Sequence, residues 1–331
     1  MFTNRANLTY CGGWIMDKQY SKDLSMFFDT LRFERGLNQE DFVFDIISIR
    51  QYRRYLSGEC KISQSIINQL SIKLGLKPEH IIFDFESARI EESKKITAFY
   101  NAVINKDYAK INEYDNVLDL SKIFDHSNRM LYQFAQYILQ YRENKIHEVD
   151  LVSKIKEMIN YPEILNMTRY SSAEVILMSN LLSYKSFHEK EKVSMKLLSF
   201  INDSKHVISG YNERIKFLCL QRLSDYQGIQ GNFAEVIRLC KIAIDGLIQI
   251  KSYYLMDFFY YHLALAHFYL GNIDEHKESL YRCYCILHSE FNRAKIKKFV
   301  IKIEKDFPIN FNNFIVEYSK EYIEKNQKDG L

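Results

Sequence analysis

Proline is nearly absent and glycine is scarce: 3 and 11 residues in a chain of 331, where average usage would supply about 17 and about 23. Sheet-rich folds need both residues at their turns, and disordered chains are enriched in proline. With 47% hydrophobic residues, the shortage predicts an all-α protein of long helices joined by short polar turns. No apolar run approaches the roughly 18 residues of a membrane span, so no membrane partner is expected. The six cysteines, at 11, 60, 219, 240, 283 and 285, contain no CxxC pair. They read as free thiols of a reducing cytoplasm, the last four on apolar helix faces. Residues 1–15 lack a basic-then-apolar signal pattern and read as a disordered leader, with Met16 an alternative start. Within it, Leu8-Thr9-Tyr10-Cys11 lacks the apolar run and the small residue of a lipoprotein cleavage site.

Catalytic constellations are missing too. Gly12-Gly13 is isolated, and Gly228 and Gly231 follow no strand, so no glycine-rich phosphate loop is present. The nine histidines never form HExxH. His262 and His267 are five apart and do not share a helix face as metal ligands would. Cys283 and Cys285 likewise point to opposing faces. No metal, no cofactor and no enzymatic activity are expected, and lone His and Cys in aromatic-rich helices read as packed core.

What is present falls into three parts: the leader 1–15, a segment 16–86 of five short helical patterns, and a stretch 87–331 of amphipathic helices. The stretch Phe83–Lys95, with Glu86, Glu91 and Glu92 beside Arg89, Lys94 and Lys95, reads as a charged connecting helix. In the large part, short polar turns recur at Asn105-Lys106-Asp107, Asn144-Lys145, Lys185-Ser186, Gly231-Asn232 and Gly271-Asn272, spaced 39, 41, 46 and 40 residues apart. Gly or Asn can take the left-handed conformation that ends a helix and folds the next one back antiparallel. A helix pair cannot bury its apolar stripe alone, so pairs stacked at this period predict a solenoid. Leu220, Leu223, Gly231-Asn232-Phe233 and Ala243, then Leu263, Ala264 and Gly271-Asn272-Ile273, resemble tetratricopeptide repeats, a resemblance that implies a right-handed helical solenoid. The period is longer than the standard one, and Val236 and His276 stand where a small Ala is usual.

The segment 16–86 carries the most information. Gly36 ends one helix and Asn38 is placed to cap the next, with Phe42, Val43, Ile46 and Ile47 facing inward. Ser48 is a cap for a third helix, Ile49–Ser57, stopped by Gly58. That helix can bury Tyr52 and Tyr55 while exposing Arg50, Gln51, Arg53 and Arg54. Between Ile46 and Pro78 there are six basic residues (Arg50, Arg53, Arg54, Lys61, Lys73, Lys77) against one acid, Glu59. Such a stripe suits docking against phosphates, and Arg and Gln can read guanine and adenine edges. Leu24–Phe83 resembles the lambda-repressor-type (XRE, Cro/C1) helix-turn-helix, most specifically at Arg35-Gly36-Leu37-Asn38-Gln39-Glu40. One departure is that Asp45-Ile46-Ile47-Ser48 lacks the glycine usual before the third helix. The resemblance implies that Gln39 touches a phosphate, that Ile49, Arg50, Gln51 and Arg54 enter the major groove, and that Arg53 and Lys61 hold the backbone, with Ser48 counted among the DNA-binding residues.

A Cro/C1-type reader followed by about 240 residues of tetratricopeptide-like helices resembles, in domain order and length, the peptide-pheromone-responsive regulators of the Rgg, PlcR and PrgX type (the RRNPP superfamily). The resemblance implies a cytoplasmic homodimer that binds double-stranded DNA, and whose solenoid takes a short signalling peptide that switches DNA binding or activation. An extended peptide wants amide, carboxylate and aromatic side chains on inward helix faces. Tetratricopeptide geometry places Phe134 and Tyr141, Ser179, Gln221 and Asp225, and Tyr261 and Phe268 there, with Tyr137, Asn180 and Arg222 as near alternatives. Two other readings stay open: a phage or mobile-element repressor controlled by a protein partner, and a scaffold whose helix-turn-helix no longer reads DNA.

Overall fold

The computed structural model describes residues 18–115, 117–120, 123, 125–203, 207–209 and 213–328. The expected leader, with Cys11 and Met16, lies outside the described residues. The chain divides into two compact units, Met1–Arg142 and Glu143–Leu331.

The first unit begins with four short helices: α1 (Lys18–Glu34), α2 (Gln39–Val43), α3 (Ile49–Ser57) and α4 (Gln64–Lys73). Leu24, Phe27 and Phe28 recur at helical spacing on α1 and close over Phe42, Tyr52, Ile67 and Leu70. Full burial of each such side chain contributes about 1.5–3 kcal/mol. α5 (Pro78–Asn105) then runs 28 residues without a break. Pro78 pre-sets the first turn, no breaker follows, and Lys106 ends the helix in the left-handed conformation. The last of the five short helical patterns in 16–86 and the charged connector Phe83–Lys95 are therefore one rod. Its start gives Ile81 and Phe85 to the core of the small helices. Its end gives Phe99 and Tyr100 to α7 (His126–Arg142), where they meet Tyr132 at 5.1 Å and Phe134 at 6.1 Å. α6 (Tyr108–Asp115) packs beside α5.

A polar cluster holds the start of α7. Asp125 accepts from the Asn128 backbone N–H at 2.8 Å, capping the helix. Arg89 of α5 reaches Asp125 at 2.6 Å and Glu86 at 3.3 Å. Asp23 of α1 accepts from the His126 backbone N–H at 3.3 Å.

The second unit comprises α8 (Glu148–Met158), α9 (Ser172–Leu181), α10 (Lys190–Asn202), α11 (Glu213–Ile229), α12 (Phe233–Gln249), α13 (Met256–Leu270), α14 (Ile273–Ser289), α15 (Arg293–Asp306) and α16 (Phe311–Lys328). From α9 onward helices pack on their neighbours in sequence, and α9 on α11, α11 on α13 and α14 on α16. This next-but-one packing is the mark of a helical solenoid. Left-handed residues stand at four of the five expected turns: Lys106, Asn144, Gly231 and Gly271. Around Lys185-Ser186 there is none; there the Ser186 N–H donates to Glu148 at 2.7 Å instead.

Two features depart from the sequence reading. A parallel pair of three-residue strands, β1 (Arg169–Ser171) and β2 (Val207–Ser209), aligns Tyr170 with Ile208. Cys285 is exposed, whereas Cys219, Cys240 and Cys283 are buried; burial pushes the Cys219 and Cys240 thiols up to about 12. All five described cysteines are free.

Candidate nucleic-acid interface

The α2–turn–α3 segment forms from local signals. The Asn38 side chain accepts from the Asp41 N–H at 2.8 Å, and Ser48 from the Gln51 N–H at 3.2 Å. These bonds satisfy amides that a helix start otherwise leaves open. Gly58 closes α3 at φ 79°, its N–H donating to the Arg54 and Tyr55 carbonyls. The glycine missing from the turn is replaced by Asp45, which takes φ 63°; Asp tolerates this region better than most residues because its short side chain can bond locally.

α3 buries Tyr52 and Tyr55, as expected, and carries Arg50, Arg53 and Arg54 exposed on the other side; Lys61 is exposed beyond it. Ser48 is exposed, while Gln39, Ile49 and Gln51 are half-buried. Among the described residues no ion pair engages Arg50, Arg53 or Lys61. Arg54 is held: its Nε lies 3.2 Å from Glu59, and its Nη1 donates to Gln51 at 3.4 Å. Gln51 in turn donates to the Cys60 sulfur at 3.2 Å. Two of the expected readers are thus pre-oriented by each other, and Arg50 and Arg53 are free cations.

One residue that the sequence reading missed organises this face. Asp29 of α1 accepts from Arg32, Gln39 and Tyr52, that is from α1, α2 and α3. The signal available in the sequence was Tyr52: a tyrosine on the buried stripe of a short helix brings a hydroxyl that needs an acceptor.

The candidate peptide-lining residues scatter. Phe134 has no exposed surface and stacks on Tyr100; Tyr137 and Tyr141 are half-buried on the same α7. Ser179 and Asn180 are buried, and both donate to the Ile176 carbonyl. Tyr261 is 1% exposed, with its hydroxyl on Asp306. Phe134, Ser179 and Tyr261 therefore present no surface to a ligand in this structure. Phe268 is partly exposed, against His276 and Phe307. One group does come together: Gln221 donates to Asp225 at 2.5 Å, and Asp225 lies 3.1 Å from His262 Nε2. Arg222 beside it donates to Ser183 at 3.5 Å and keeps a buried Nε without an acceptor. His262 and Ser183 were not anticipated. A cavity of about 170 Å³ between Tyr260, Tyr281, Arg282 and Tyr322 contains none of the expected residues.

Among the described residues no group of three or more His, Cys, Asp or Glu could hold a metal ion. No described helix is long and apolar enough to cross a membrane. His267 and His276 are core residues: each is buried, each meets an internal polar partner, and burial lowers both imidazoles.

The chain is similar to several solved structures. These include PlcR from Bacillus thuringiensis in complex with a peptide and DNA (16% identity, 84% of this chain and 99% of that one, TM-score 0.43). ComR from S. thermophilus, in complex with DNA and its signalling peptide, covers 86% of this chain and 99% of its own at 12% identity, TM-score 0.47. A point mutant of PrgX covers 91% and 99% at 17% identity, TM-score 0.38. No family's sequence model and no curated protein matches the chain.

Proposed function

We propose that this protein is a DNA-binding transcription regulator, with residues 16–86 as the reader and the helices beyond as sensor and dimerisation part. The observation that carries the reading is α3 itself. It is a short helix capped at both ends, with two tyrosines in the core and free arginines on the outer face. A basic helix held rigidly at the surface of a small core fits the major groove. There Arg50, Gln51 and Arg54 reach base edges while Arg53, Lys61 and Gln39 meet phosphates. One such module binds weakly, and two on half-sites about 34 Å apart bind well, which supports a homodimer. A cytoplasmic setting agrees with the free thiols. The ligand of the sensor part is a short peptide on the inner helices of the second unit. Support for this is the half-exposed Asp225 with Gln221 and His262, and the unanswered Arg222 Nε, polar groups able to hold a peptide backbone.

The test is Arg50→Ala with Arg54→Ala. Wild-type chain retains a duplex selected from a random pool, with salt-dependent affinity. The double variant is expected to weaken binding about 30-fold or more, from two contacts of roughly 1–3 kcal/mol each. Unchanged affinity would remove α3 as the reader, and a wild-type chain that retains no duplex would favour the scaffold reading.

A further inference from the structure

One carboxylate oxygen ties the three helices of the reader together. Asp29 Oδ1 accepts from Arg32 Nε at 2.8 Å within α1, from the Tyr52 hydroxyl of α3 at 3.1 Å, and from Gln39 Nε2 of α2 at 3.3 Å. Each donor has a reason to be there. Tyr52 is fully buried against Phe42, with ring centroids 5.8 Å apart, so its hydroxyl has no water to turn to. Arg32 is buried as well, and its Nη1 donates to the Leu37 carbonyl, closing the α1–α2 turn. A buried guanidinium needs an anion and filled donors, and Asp29 is that anion. Gln39 is half-buried, at the very start of α2.

The geometry sets two things at once. The Tyr52 bond reaches the middle of α3 and resists rotation of that helix about its axis, which decides whether Arg50 and Gln51 face outward. The Gln39 bond fixes which way the amide is turned. A primary amide carries both hydrogens on one nitrogen, so with one hydrogen on Asp29 the second stays available on that nitrogen for a phosphate oxygen. Without the carboxylate the amide can flip and present its carbonyl, which repels phosphate.

We propose that Asp29 is a positioning residue for DNA recognition. Through Tyr52 it sets the angle of the reading helix, and through Gln39 it aims a phosphate contact. This rests on the DNA-binding reading above, and it adds a residue that itself touches no DNA.

The experiment uses the full chain and the duplex that wild type selects from a random pool, with circular dichroism confirming that each variant is folded at the assay temperature. Asp29→Asn, Gln39→Ala and Tyr52→Phe are each expected to weaken binding about tenfold, the loss of one charge-assisted or well-placed hydrogen bond. The two arms separate by what they lose. Gln39→Ala lowers affinity equally for selected and scrambled duplexes, because phosphates carry no sequence. Tyr52→Phe, which keeps the ring packing, lowers the ratio between them, because the reading helix is less well fixed. Asp29→Asn with Gln39→Ala is expected to bind no more than about threefold worse than Asp29→Asn alone, since the amide is already misaimed. Variants that melt earlier but bind with wild-type affinity and discrimination would overturn the proposal while leaving DNA binding intact. So would losses that multiply fully in the double variant. A wild-type chain that retains no duplex would overturn both readings.

Discussion

Replacing Asp23 by Asn should make the first unit more stable at alkaline pH and change how its stability depends on pH. Asp23 is 2% exposed, and burial first, then the neighbouring Asp125, push its carboxyl from 3.8 up to about 7. Its bonds from Gln19 and the His126 N–H, and the more distant Arg89, work in the opposite direction without overcoming burial. Arg89 is committed to Asp125 and Glu86, and among the described residues no ion pair engages Asp23. Between pH about 4 and about 7 the folded chain therefore holds a proton that the unfolded chain has released. The folded state binds more protons there, so stability falls as pH rises through that window and is flat on either side. At about 1.4 kcal/mol per unit, a displacement of roughly three units sets a ceiling near 4 kcal/mol, of which about 2–3 kcal/mol falls between pH 5 and pH 8. Asn keeps an accepting oxygen for the His126 N–H and cannot ionise. Hydrogen exchange of α1 and α7 amides, corrected for intrinsic rate, should show Asp23→Asn gaining about 2–3 kcal/mol on wild type between pH 5 and pH 8. A gap that stays constant across that range would refute the reasoning.

The second unit offers a different charge test. Asp257 has no exposed surface and its carboxyl is raised by burial, with Lys295 at 3.0 Å as its counter-charge. Lys295→Met should cost about 3 kcal/mol at pH 8 in urea unfolding, and less toward acidic pH, where protonation of Asp257 removes the unpaired charge; equal losses across that range would mean that the cost does not come from an unpaired Asp257 carboxylate. Gly58 sits at φ 79°, and an added Cβ would meet Lys22 Cδ at 3.0 Å, whereas Gly36 at φ 69° opens onto space. Gly58→Ala and Gly36→Ala should each lower stability by about 1–2 kcal/mol from the left-handed backbone alone, with Gly58→Ala the worse of the two in thermal melts.

Local punctuation was readable in the sequence and distant pairing was not. Asn38, Ser48 and Gly58 announce helix ends because each acts on amides or carbonyls within about four residues, and all three cap as expected. Asp45 was opaque: it takes the left-handed conformation at φ 63° where the helix-turn-helix resemblance suggested that a glycine was needed. Tyr170 and Ile208 sit 38 positions apart and pair over only three residues, too short for any alternation to show. Asp29 was invisible for the same reason. Its acceptor role depends on a hydroxyl 23 positions away, and an acid on a partly exposed helix face otherwise reads as solvated. Helical periodicity locates the inward stripe of α9, α11 and α13, yet does not tell a residue sealed between helices, such as Tyr261, from one left half-open, such as Asp225.

The unbroken α5 has a mechanical consequence. A helix of 28 residues is about 42 Å long at 1.5 Å per residue. One end is locked into the core of the small helices by Ile81 and Phe85, the other against α7 by Phe99 and Tyr100. With no glycine or proline inside it to absorb bending, a tilt of about 5° where it meets α7 displaces the far end by about 3–4 Å, close to the 3.4 Å spacing of successive bases along a strand. A small repacking of aromatic rings at one end of this lever is thus enough to move the other end, and with it the helix proposed to read DNA, by about one base step.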